Sequence, residues 1–321
     1  MTFCGVKQVA LPWARENSGF TLLFEAFVLS MAKAMPVKTV AAIVGEHDTR
    51  LWRVLDHYVS QAVDKQDLSE VRQIAVDETS ARRGHDYVTL FADLARREVV
   101  YVAEGRDAAT VADFTGFLEQ HGGKKENITD VSTDMSTAFI SGMKSNLPNA
   151  KITFDKFHVI KLVNAAVDEV RRQERHGNNL IKGTRYLWLK NLENLRGEEK
   201  ASLASLEGAN LDTMQAWQMR LNLQDVFKMT SLARAAKYLA CWHTWVKISE
   251  LKPMIKAANT IISKSSEILR AITNNLSNGL LEAINGNVQA AKRKAKGYRT
   301  KRNLKTIIYL IAGGLLDRVP T

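Results

Sequence analysis

The sequence predicts an α/β protein in which a mixed β-sheet is interrupted by a large all-α insertion and preceded by helices. Three observations predict this fold class. From Val71 onward the apolar residues change from helical spacing to the alternation that is typical of strands. Strand-like and helical segments then follow one another as far as Phe154. From Val159 to about Ile272 the alternation stops and the chain reads as helical, with long polar stretches.

The segment between Arg72 and Phe154 has the element order βββαβαβ. The turns Arg82-Arg83-Gly84 and Ala95-Arg96-Arg97 separate its first three strands, which form a meander. This order is the one found in the RNase H core, so we expect an RNase H-like mixed sheet. The predicted elements are strands 72–79, 86–94 and 98–104, helix 108–121, strand 128–133, helix 137–145 and strand 151–154.

The N-terminal region, residues 1–62, reads as helices that end in a helix-turn-helix pattern. Pro36 starts a new element, the small residue Ala41 permits close packing of two helices, and Gly45 supplies the turn. Asp48 then caps a second helix that runs through Tyr58. A plain helical hairpin is the alternative interpretation of the same residues.

The second helix of this pattern would enter a DNA major groove. Its early residues Thr49, Arg50 and Arg53 are the ones expected to contact bases or phosphates. The apolar residues that hold the helix to its neighbours are Leu51, Val54 and Leu55.

Composition favours a cytoplasmic protein that binds a polyanion. The 321-residue chain is 45% hydrophobic and carries a net charge of +11, so it can bury real cores and attract phosphates. Its two cysteines lie far apart and predict a reducing compartment rather than a disulfide framework. Residues 1–13 do not resemble a signal peptide and residues 306–316 are too short to span a bilayer, so we expect a soluble protein without a membrane partner.

Three acidic residues stand in apolar segments where carboxylates fit poorly. Asp77 ends the run Ile74-Ala75-Val76, Asp134 follows the fourth strand, and Glu282 interrupts the run 280–284. A charge in such a place needs a neutralising partner, and a hard cation such as Mg²⁺, which prefers oxygen ligands, is the simplest one. For each acid taken alone, the alternative is an ordinary strand-end or helix-surface residue.

Four blocks of sequence surround these acids. They are Val76-Asp77-Glu78-Thr79-Ser80 with Arg83-Gly84-His85-Asp86-Tyr87, then Thr133-Asp134-Met135-Ser136, then Phe154-Asp155-Lys156-Phe157-His158-Val159, and finally Asn278-Gly279-Leu280-Leu281-Glu282-Ala283-Ile284-Asn285-Gly286. In order and spacing these blocks resemble the DDE transposases of bacterial insertion sequences, most closely the ISL-three-type family. The resemblance runs from about Leu11 to Leu316.

The resemblance implies a function and its requirements. Asp77, Asp134 and Glu282 would form a two-metal site that binds Mg²⁺, with Mn²⁺ as a substitute, and performs DNA strand cleavage and strand transfer. The implied partners are double-stranded DNA, in the form of terminal repeats and target DNA, and further copies of the chain in a homodimer or larger DNA complex. The implied location is the bacterial cytoplasm, in association with the nucleoid.

The N-terminus departs from the family pattern. Members usually begin with a zinc ribbon of paired cysteines, whereas this chain offers only Cys4 and Cys241, so we expect no zinc in it. The main alternative function follows from this departure: a truncated, inactive transposase remnant that acts as a DNA-binding repressor. A third interpretation is an RNase H-like nuclease or resolvase that cuts without joining.

Further residues near the acids are candidates for the site. Asp155 and His158 form an Asp-x-x-His pattern at the end of the fifth strand. Asp155 could support the metal, and His158 could contact the scissile phosphate or donate a proton. A strand-end cap with a packed histidine is the alternative. Strand alternation puts Asp77 on the face of Ala75, whereas Glu78 points to the other face and is excluded from the metal ligands.

The helix that carries Glu282 has a polar stripe opposite an apolar one. We expect the apolar face to pack and the polar face to meet DNA. A helix that starts later and contains poor helix formers is the alternative. The polar stripe consists of Asn278, Glu282, Asn285 and Gln289, and the apolar one of Leu281, Ile284 and Val288.

A basic run follows this helix and is expected to contact DNA phosphates. Seven basic residues fall within eleven positions, a density for which a solvated surface is the alternative explanation. In the first hairpin, Arg83 and His85 are expected to contact DNA rather than metal. The run consists of Lys292, Arg293, Lys294, Lys296, Arg299, Lys301 and Arg302.

These assignments divide the chain into four segments. Residues 1–62 are the helix-turn-helix region, residues 63–160 the first part of the RNase H-like core, residues 161–272 the all-α insertion, and residues 273–321 the second part of the core with the Glu282 helix and the basic tail. The tryptophans of the insertion are expected to pack in its interior.

Overall fold

The computed structural model describes residues 11–82, 84–274 and 279–314. Its helices are α1 Leu22–Ala34, α2 Val37–Val44, α3 Asp48–Asp64, α4 Ala108–Gln120, α5 Thr137–Asn146, α6 Lys156–Arg175, α7 Arg185–Leu189, α8 Gly197–Leu206, α9 Asp212–Val226, α10 Leu232–Ile248, α11 Lys252–Ser263, α12 Ser265–Asn274, α13 Gly279–Lys294 and α14 Lys301–Ala312. Its strands are β1 Gln73–Arg82, β2 Asp86–Asp93, β3 Glu98–Glu104, β4 Asp130–Thr133 and β5 Lys151–Phe154. No helix within the described ranges combines the length and the apolar composition that crossing a membrane requires.

The five strands form one sheet in the order β3-β2-β1-β4-β5. β1 pairs antiparallel with β2, which places Asp77 opposite Leu90, and β2 pairs antiparallel with β3. The expected RNase H-like mixed sheet is therefore confirmed. β1 is longer than predicted because its pairing with β2 continues past an irregularity between Ser80 and Arg82.

The chain is divided into two compact units. The first comprises Met1–Val131, Thr137–Ala150 and Gly279–Thr321, and the second comprises Ser132–Ser136 and Lys151–Asn278. The first unit therefore contains the N-terminal helices, β1 to β3, α4, α5, α13 and α14. The second contains β5 and helices α6 to α12, while β4 contributes residues to both units.

In the first unit, strand alternation separates two apolar layers. Phe91 of β2 faces α4, where its ring stacks on Phe114 with 4.4 Å between the centroids. Ala75 of β1 faces the opposite way and belongs to a core cluster with Leu281 of α13. Asp77 lies on the same face as Ala75, as the alternation of side chains on a strand predicted, and this face is directed toward α13.

The N-terminal helices share this core through α3. Leu51, Val54 and Leu55 are buried, which confirms that they form the packing face of the helix. A polar contact joins α3 to the C-terminal helix, because the hydroxyl of Thr306 donates to Oδ1 of Asp56 at 2.8 Å. The helix-turn-helix pattern is therefore packed on α14.

The turn of this pattern forms as predicted, but its capping residue differs. Gly45 ends α2 with φ of 70°, in the left-handed region where a residue without Cβ is favoured. The N-cap of α3 is His47 rather than Asp48, since the His47 ring nitrogen accepts a hydrogen bond from the Thr49 N–H at 3.3 Å. Asp48 is instead the first residue of the helix, where a negative charge interacts favourably with the helix dipole.

A buried carboxylate ties the N-terminal segments together. Glu25 of α1 is 0% exposed and accepts hydrogen bonds from the Arg15 guanidinium at 2.9 Å, from the Tyr58 hydroxyl at 2.6 Å and from the Ser18 hydroxyl. Burial raises the pKa of Glu25, but the hydrogen bonds and the charge of Arg15 outweigh it, so the pKa is lowered overall. Three separate parts of the chain therefore depend on one ionised side chain.

In the second unit, tryptophans build the interior of the helical region. Trp188, Trp217 and Trp242 are buried, and the rings of Trp188 and Trp217 meet edge to face at 6.1 Å. The indole N–H of Trp242 donates to the carbonyl of Met219 at 2.8 Å, so its polar atom is satisfied. The expected packing role of these side chains is confirmed.

Candidate active site

Asp77 lies in the middle of β1 with both carboxylate oxygens engaged. Oδ2 accepts a hydrogen bond from the side-chain amide of Asn285 at 2.7 Å, and Oδ1 accepts one from the Glu78 N–H at 2.8 Å. Asn285 belongs to α13, so the hydrogen bond joins the central strand of the sheet to the helix that carries Glu282. Glu78 lies on the other face, where Arg106 approaches its carboxylate at 3.8 Å.

Glu282 is exposed on the first turn of α13. The helix packs through Leu281, Ile284 and Val288, all buried, so the predicted apolar face is confirmed. Glu282 precedes Asn285 by three residues, and side chains at this spacing are neighbours on a helix, with roughly 5–6 Å between their Cβ atoms. In the first unit, Glu282 is thus next to the side chain that binds Asp77.

The rest of the polar stripe on α13, which was expected to meet DNA, contacts β1. The Gln289 amide donates to the Thr79 hydroxyl at 2.7 Å and to the Ser80 carbonyl at 3.1 Å, and the Lys292 ammonium donates to the same carbonyl at 2.8 Å. The pairing irregularity after Ser80 leaves this carbonyl available to α13. Asn285, Gln289 and Lys292 therefore attach the helix to β1, and their contact with DNA stays a prediction.

Asn278, the first residue of the predicted stripe, lies outside the described residues. The same holds for Arg83 of the first hairpin, whereas His85 of that hairpin is exposed.

Asp134 belongs to the second unit, directly after β4. Its Oδ1 accepts a hydrogen bond from the Ser136 N–H at 2.9 Å, which closes a short turn. The next residue, Met135, is also held, because its carbonyl accepts a hydrogen bond from the Lys264 ammonium at 2.7 Å. The position of this carboxylate is thus defined by its own loop and by a residue of the helical region.

Asp155 is a capping residue, the alternative that the sequence offered, and one of its carboxylate oxygens is buried. It is the N-cap of α6, since Oδ1 accepts from the Phe157 N–H at 3.1 Å, and its own N–H donates to the Thr133 carbonyl at 3.2 Å. It is only 3% exposed, and within the described part of the chain its Oδ2 has no hydrogen-bond partner. The Nδ1 atom of His158 is buried without a partner in the same part. A capped carboxylate with one unsatisfied oxygen fits a group that also supports a cation or its water.

The predicted metal ligands are distributed over both units. Asp77 and Glu282 belong to the first unit, and Asp134 and Asp155 to the second. Over residues 11–82, 84–274 and 279–314, no group of three or more His, Cys, Asp or Glu side chains is close enough together to hold a metal ion. The convergence of the acids on one metal cluster stays a prediction.

The three helix-turn-helix side chains expected to contact DNA differ in the contacts that they make within the protein. Arg50 donates to the Glu46 carboxylate at 2.7 Å, and its guanidinium lies 4.3 Å from the centroid of the Phe20 ring. The Thr49 hydroxyl is hydrogen-bonded to the His47 ring at 2.9 Å. Arg53 is exposed and forms no ion pair with any described residue. Thr49 and Arg50 thus have side-chain partners, whereas Arg53 has no ion-pair partner among the described residues.

Some residues of the basic run have partners within the described part of the protein and others do not. Lys292 donates to a strand carbonyl, Lys301 pairs with Asp86 at 2.8 Å, and Arg302 pairs with Asp56 at 3.1 Å. Burial, opposed by the charge of Asp86, lowers the pKa of Lys292. The other members are exposed and have no ion pair within the described ranges: Arg293, Lys294, Lys296 and Arg299.

Two side-chain contacts next to the candidate acids were not predicted from the sequence. Lys264 carried no signal, because it lies in a helical region rich in polar residues and meets Met135 across 129 positions. Asn285 was recognised by its helical spacing to Glu282, but spacing alone does not say what a face contacts.

Comparisons with known proteins agree with these features. A family model described as Transposase, for the DDE type of ISL3, matches residues 74–308, and a model described as the helix-turn-helix domain of transposase family ISL3 matches residues 9–59. The chain is 30% identical over 250 residues to the transposase for insertion sequence element IS1001 of Bordetella parapertussis. The aligned region covers 74% of this chain and 60% of that protein. It is 26% identical over 351 residues to the transposase for IS1557 of Mycobacterium tuberculosis H37Rv, which covers 98% of this chain and 77% of that protein.

Proposed function

The chain belongs to the ISL3 family of DDE transposases, and on this premise we propose that it cuts and joins DNA by Mg²⁺-dependent phosphoryl transfer at Asp77, Asp134 and Glu282. The observation that carries the proposal is the hydrogen bond of Asn285 to Asp77, which attaches the helix of Glu282 to the strand of Asp77 within the region that matches the family. This contact joins the two elements that carry Asp77 and Glu282.

The donor set suits a hard divalent cation. Asp77, Asp134 and Glu282 offer carboxylate oxygens, the ligands that Mg²⁺ and Mn²⁺ prefer, and Asp155 adds a buried oxygen without a partner in the described residues. When bound, two such ions activate a water or 3′-hydroxyl and stabilise the departing oxygen. Asn285 fixes the orientation of the Asp77 carboxylate. His158, in the first turn of α6, contacts the scissile phosphate or donates a proton in this proposal.

The DNA contacts follow from the exposed cations. Arg53, with Thr49 and Arg50 beside it on α3, reads the terminal repeat in the major groove. Arg293, Lys296 and Arg299 bind phosphates of the terminal repeat or of the target DNA without sequence preference. We expect two or more copies of the chain in the DNA complex, in the cytoplasm, because two ends have to be joined to one target.

The experiment is a cleavage and joining assay. A plasmid carrying both ends of the element is incubated with the chain and Mg²⁺, and nicked and joined products are separated on a gel. Asp77→Asn, Asp134→Asn and Glu282→Gln should abolish both products and leave DNA binding intact. Glu126→Gln, which changes an exposed acid in the first unit, should cut like the unmodified chain.

The outcomes are distinguishable. A variant of Asp77, Asp134 or Glu282 that still cuts removes that residue from the site. Cutting that persists with excess chelator contradicts the metal requirement. Nicking without any joined product, under conditions where both ends are present, identifies a nuclease rather than a transposase.

A further inference from the structure

Lys264 lies where α11 ends and α12 begins, and its side chain extends to the loop that follows β4. Nζ donates a hydrogen bond to the carbonyl of Met135, the residue after Asp134, at 2.7 Å. The same ammonium lies 5.3 Å from the centroid of the Phe154 ring at the end of β5. One lysine of the helical region thus contacts both the loop that holds Asp134 and Phe154, the last residue of β5, which precedes Asp155.

A second cation holds the same helices in place. Arg270 of α12 donates from Nη1 to the carbonyl of Ile152 in β5 at 2.7 Å. This bond fixes α12 to the strand, so the backbone at Lys264, six positions earlier in the chain, has a defined place beside β5. The Lys264 ammonium therefore donates its hydrogen bond from a helix junction that is itself held beside β5.

Charge complements this geometry. Burial, the largest cause, lowers the pKa of Lys264, while the negative charges of Asp134 and Glu267 raise it. An attractive interaction with the Asp134 carboxylate therefore offsets part of the cost of removing the ammonium from water. The hydrogen bond of Lys264 to Met135 and its attraction to Asp134 therefore both hold the loop after β4.

We propose that Lys264 is a positioning residue for Asp134. The Ser136 N–H fixes the carboxylate relative to its own loop, and Lys264 fixes that loop relative to the strand ends. The inference rests on the proposed function, because it takes Asp134 to be a metal ligand. It adds that the helical region, which contributes none of the three acids, sets the place of one of them.

The contact itself is tested without metal or DNA. Hydrogen exchange is measured on the metal-free full-length chain, unmodified and with Lys264→Met. Losing a hydrogen bond from a charged donor should speed exchange of the amides at residues 134–138 by roughly tenfold. The matched control is Lys256→Met, which changes an exposed lysine on α11 and should leave these amides unchanged. Equal exchange in Lys264→Met and the unmodified chain would overturn the proposal.

The effect on the reaction is tested by the dependence of nicking on Mn²⁺ concentration. We expect Lys264→Met to lower the rate at saturating Mn²⁺ by at least tenfold, since small misplacements of a reacting group cost large factors in rate. Lys264→Arg, which keeps the charge and a donor, should recover most of the rate. A loss that Lys264→Arg does not recover indicates a packing role only and contradicts the proposal.

Failure of this inference is separable from failure of the proposed function. If Asp134→Asn cuts like the unmodified chain, Asp134 is not a ligand, and the exchange experiment alone decides whether Lys264 holds the loop. If Asp134→Asn is inactive while Lys264→Met is normal in both assays, the site stands and the role of Lys264 is wrong. Should Lys264→Met not fold, Lys264→Gln, too short to span to Met135, replaces it with the same expected results.

Discussion

The side-chain amide of Asn285 donates a hydrogen bond to Oδ2 of Asp77 across 2.7 Å, between residues 208 positions apart in the chain. The bond lies at the point where α13 crosses β1, next to two further contacts from Gln289 and Lys292 to the same strand. α13 is therefore attached to the sheet by polar side chains along the stripe that also carries Glu282.

We predict that Asn285→Ala lowers the rate of strand cleavage by roughly 10- to 100-fold, the range seen when a residue that orients a metal ligand is removed. The loss should appear at saturating Mg²⁺ in initial nicking rates, because Asp77 would then adopt several orientations. Asn287→Ala, on an exposed position of the same helix, is the control and should cut normally. Equal rates for the two variants would show that Asp77 needs no support from Asn285.

The division of the basic run leads to a prediction about salt dependence. Arg293→Met should reduce the slope of log Kobs against log salt by about 0.9, the value for one lost phosphate contact. Lys292→Met should leave the slope unchanged, because its ammonium is already bound to the Ser80 carbonyl. Fluorescence anisotropy between about 50 and 200 mM salt measures both. A lower slope for Lys292→Met would mean that this lysine leaves β1 when DNA binds.

The two arginines of α3 should give different results. Arg53→Ala is expected to cost about 1–3 kcal/mol on the terminal repeat and little on random DNA, if the side chain reads a base edge. Arg50→Ala should instead lower the urea midpoint of the protein, because its guanidinium bridges Glu46 and the Phe20 ring. Binding titrations on both DNAs and unfolding curves separate the effects. Equal losses on cognate and random DNA for Arg53→Ala would reduce its role to a phosphate contact.

Most features that depend on neighbouring residues were predicted correctly from the sequence. Alternation of apolar residues located β1 to β3 and put Asp77 on the same face as Ala75, because the side-chain period of a strand depends on neighbouring residues only. The same kind of signal identified the packing face of α3 and the turn at Gly45. The N-cap of α3 was predicted to be Asp48 but is His47, because backbone geometry that the pattern does not contain sets the cap.

The partners of the site could not be predicted, since they depend on contacts between distant segments. Helical spacing grouped Asn285 and Gln289 with Glu282, and a DNA-facing surface was the use predicted for that stripe. Gln289 contacts Thr79 and Ser80 of β1, and helical spacing alone could not indicate these partners. Lys264 shares no pattern with Asp134, so only the fold reveals that they are neighbours.

The last prediction concerns pH and the buried carboxylate of the N-terminal helices. The pKa of Glu25 is lowered from its ordinary value of 4.5, so its stabilising effect is complete above that pH and is lost as the pH falls through the lower folded value. Glu25→Gln should therefore reduce the free energy of unfolding at pH 7 by about 1–3 kcal/mol. Its difference from the unmodified chain should shrink as the pH falls below about 4.5.

Tyr58, whose hydroxyl donates to Glu25, tests the same cluster at high pH. Burial and the neighbouring Glu25 raise the pKa of Tyr58 from 10.0 to about 12. A raised folded pKa means that the stabilisation is complete below pH 10 and is lost as the pH rises toward 12. Urea unfolding of Tyr58→Phe should accordingly differ from that of the unmodified chain at pH 7 and converge with it at high pH. Glu16→Gln, an exposed acid in the same segment, should follow the unmodified chain throughout. A constant Glu25→Gln difference from pH 7 down to pH 3 would mean that Glu25 is held by packing rather than by its charge.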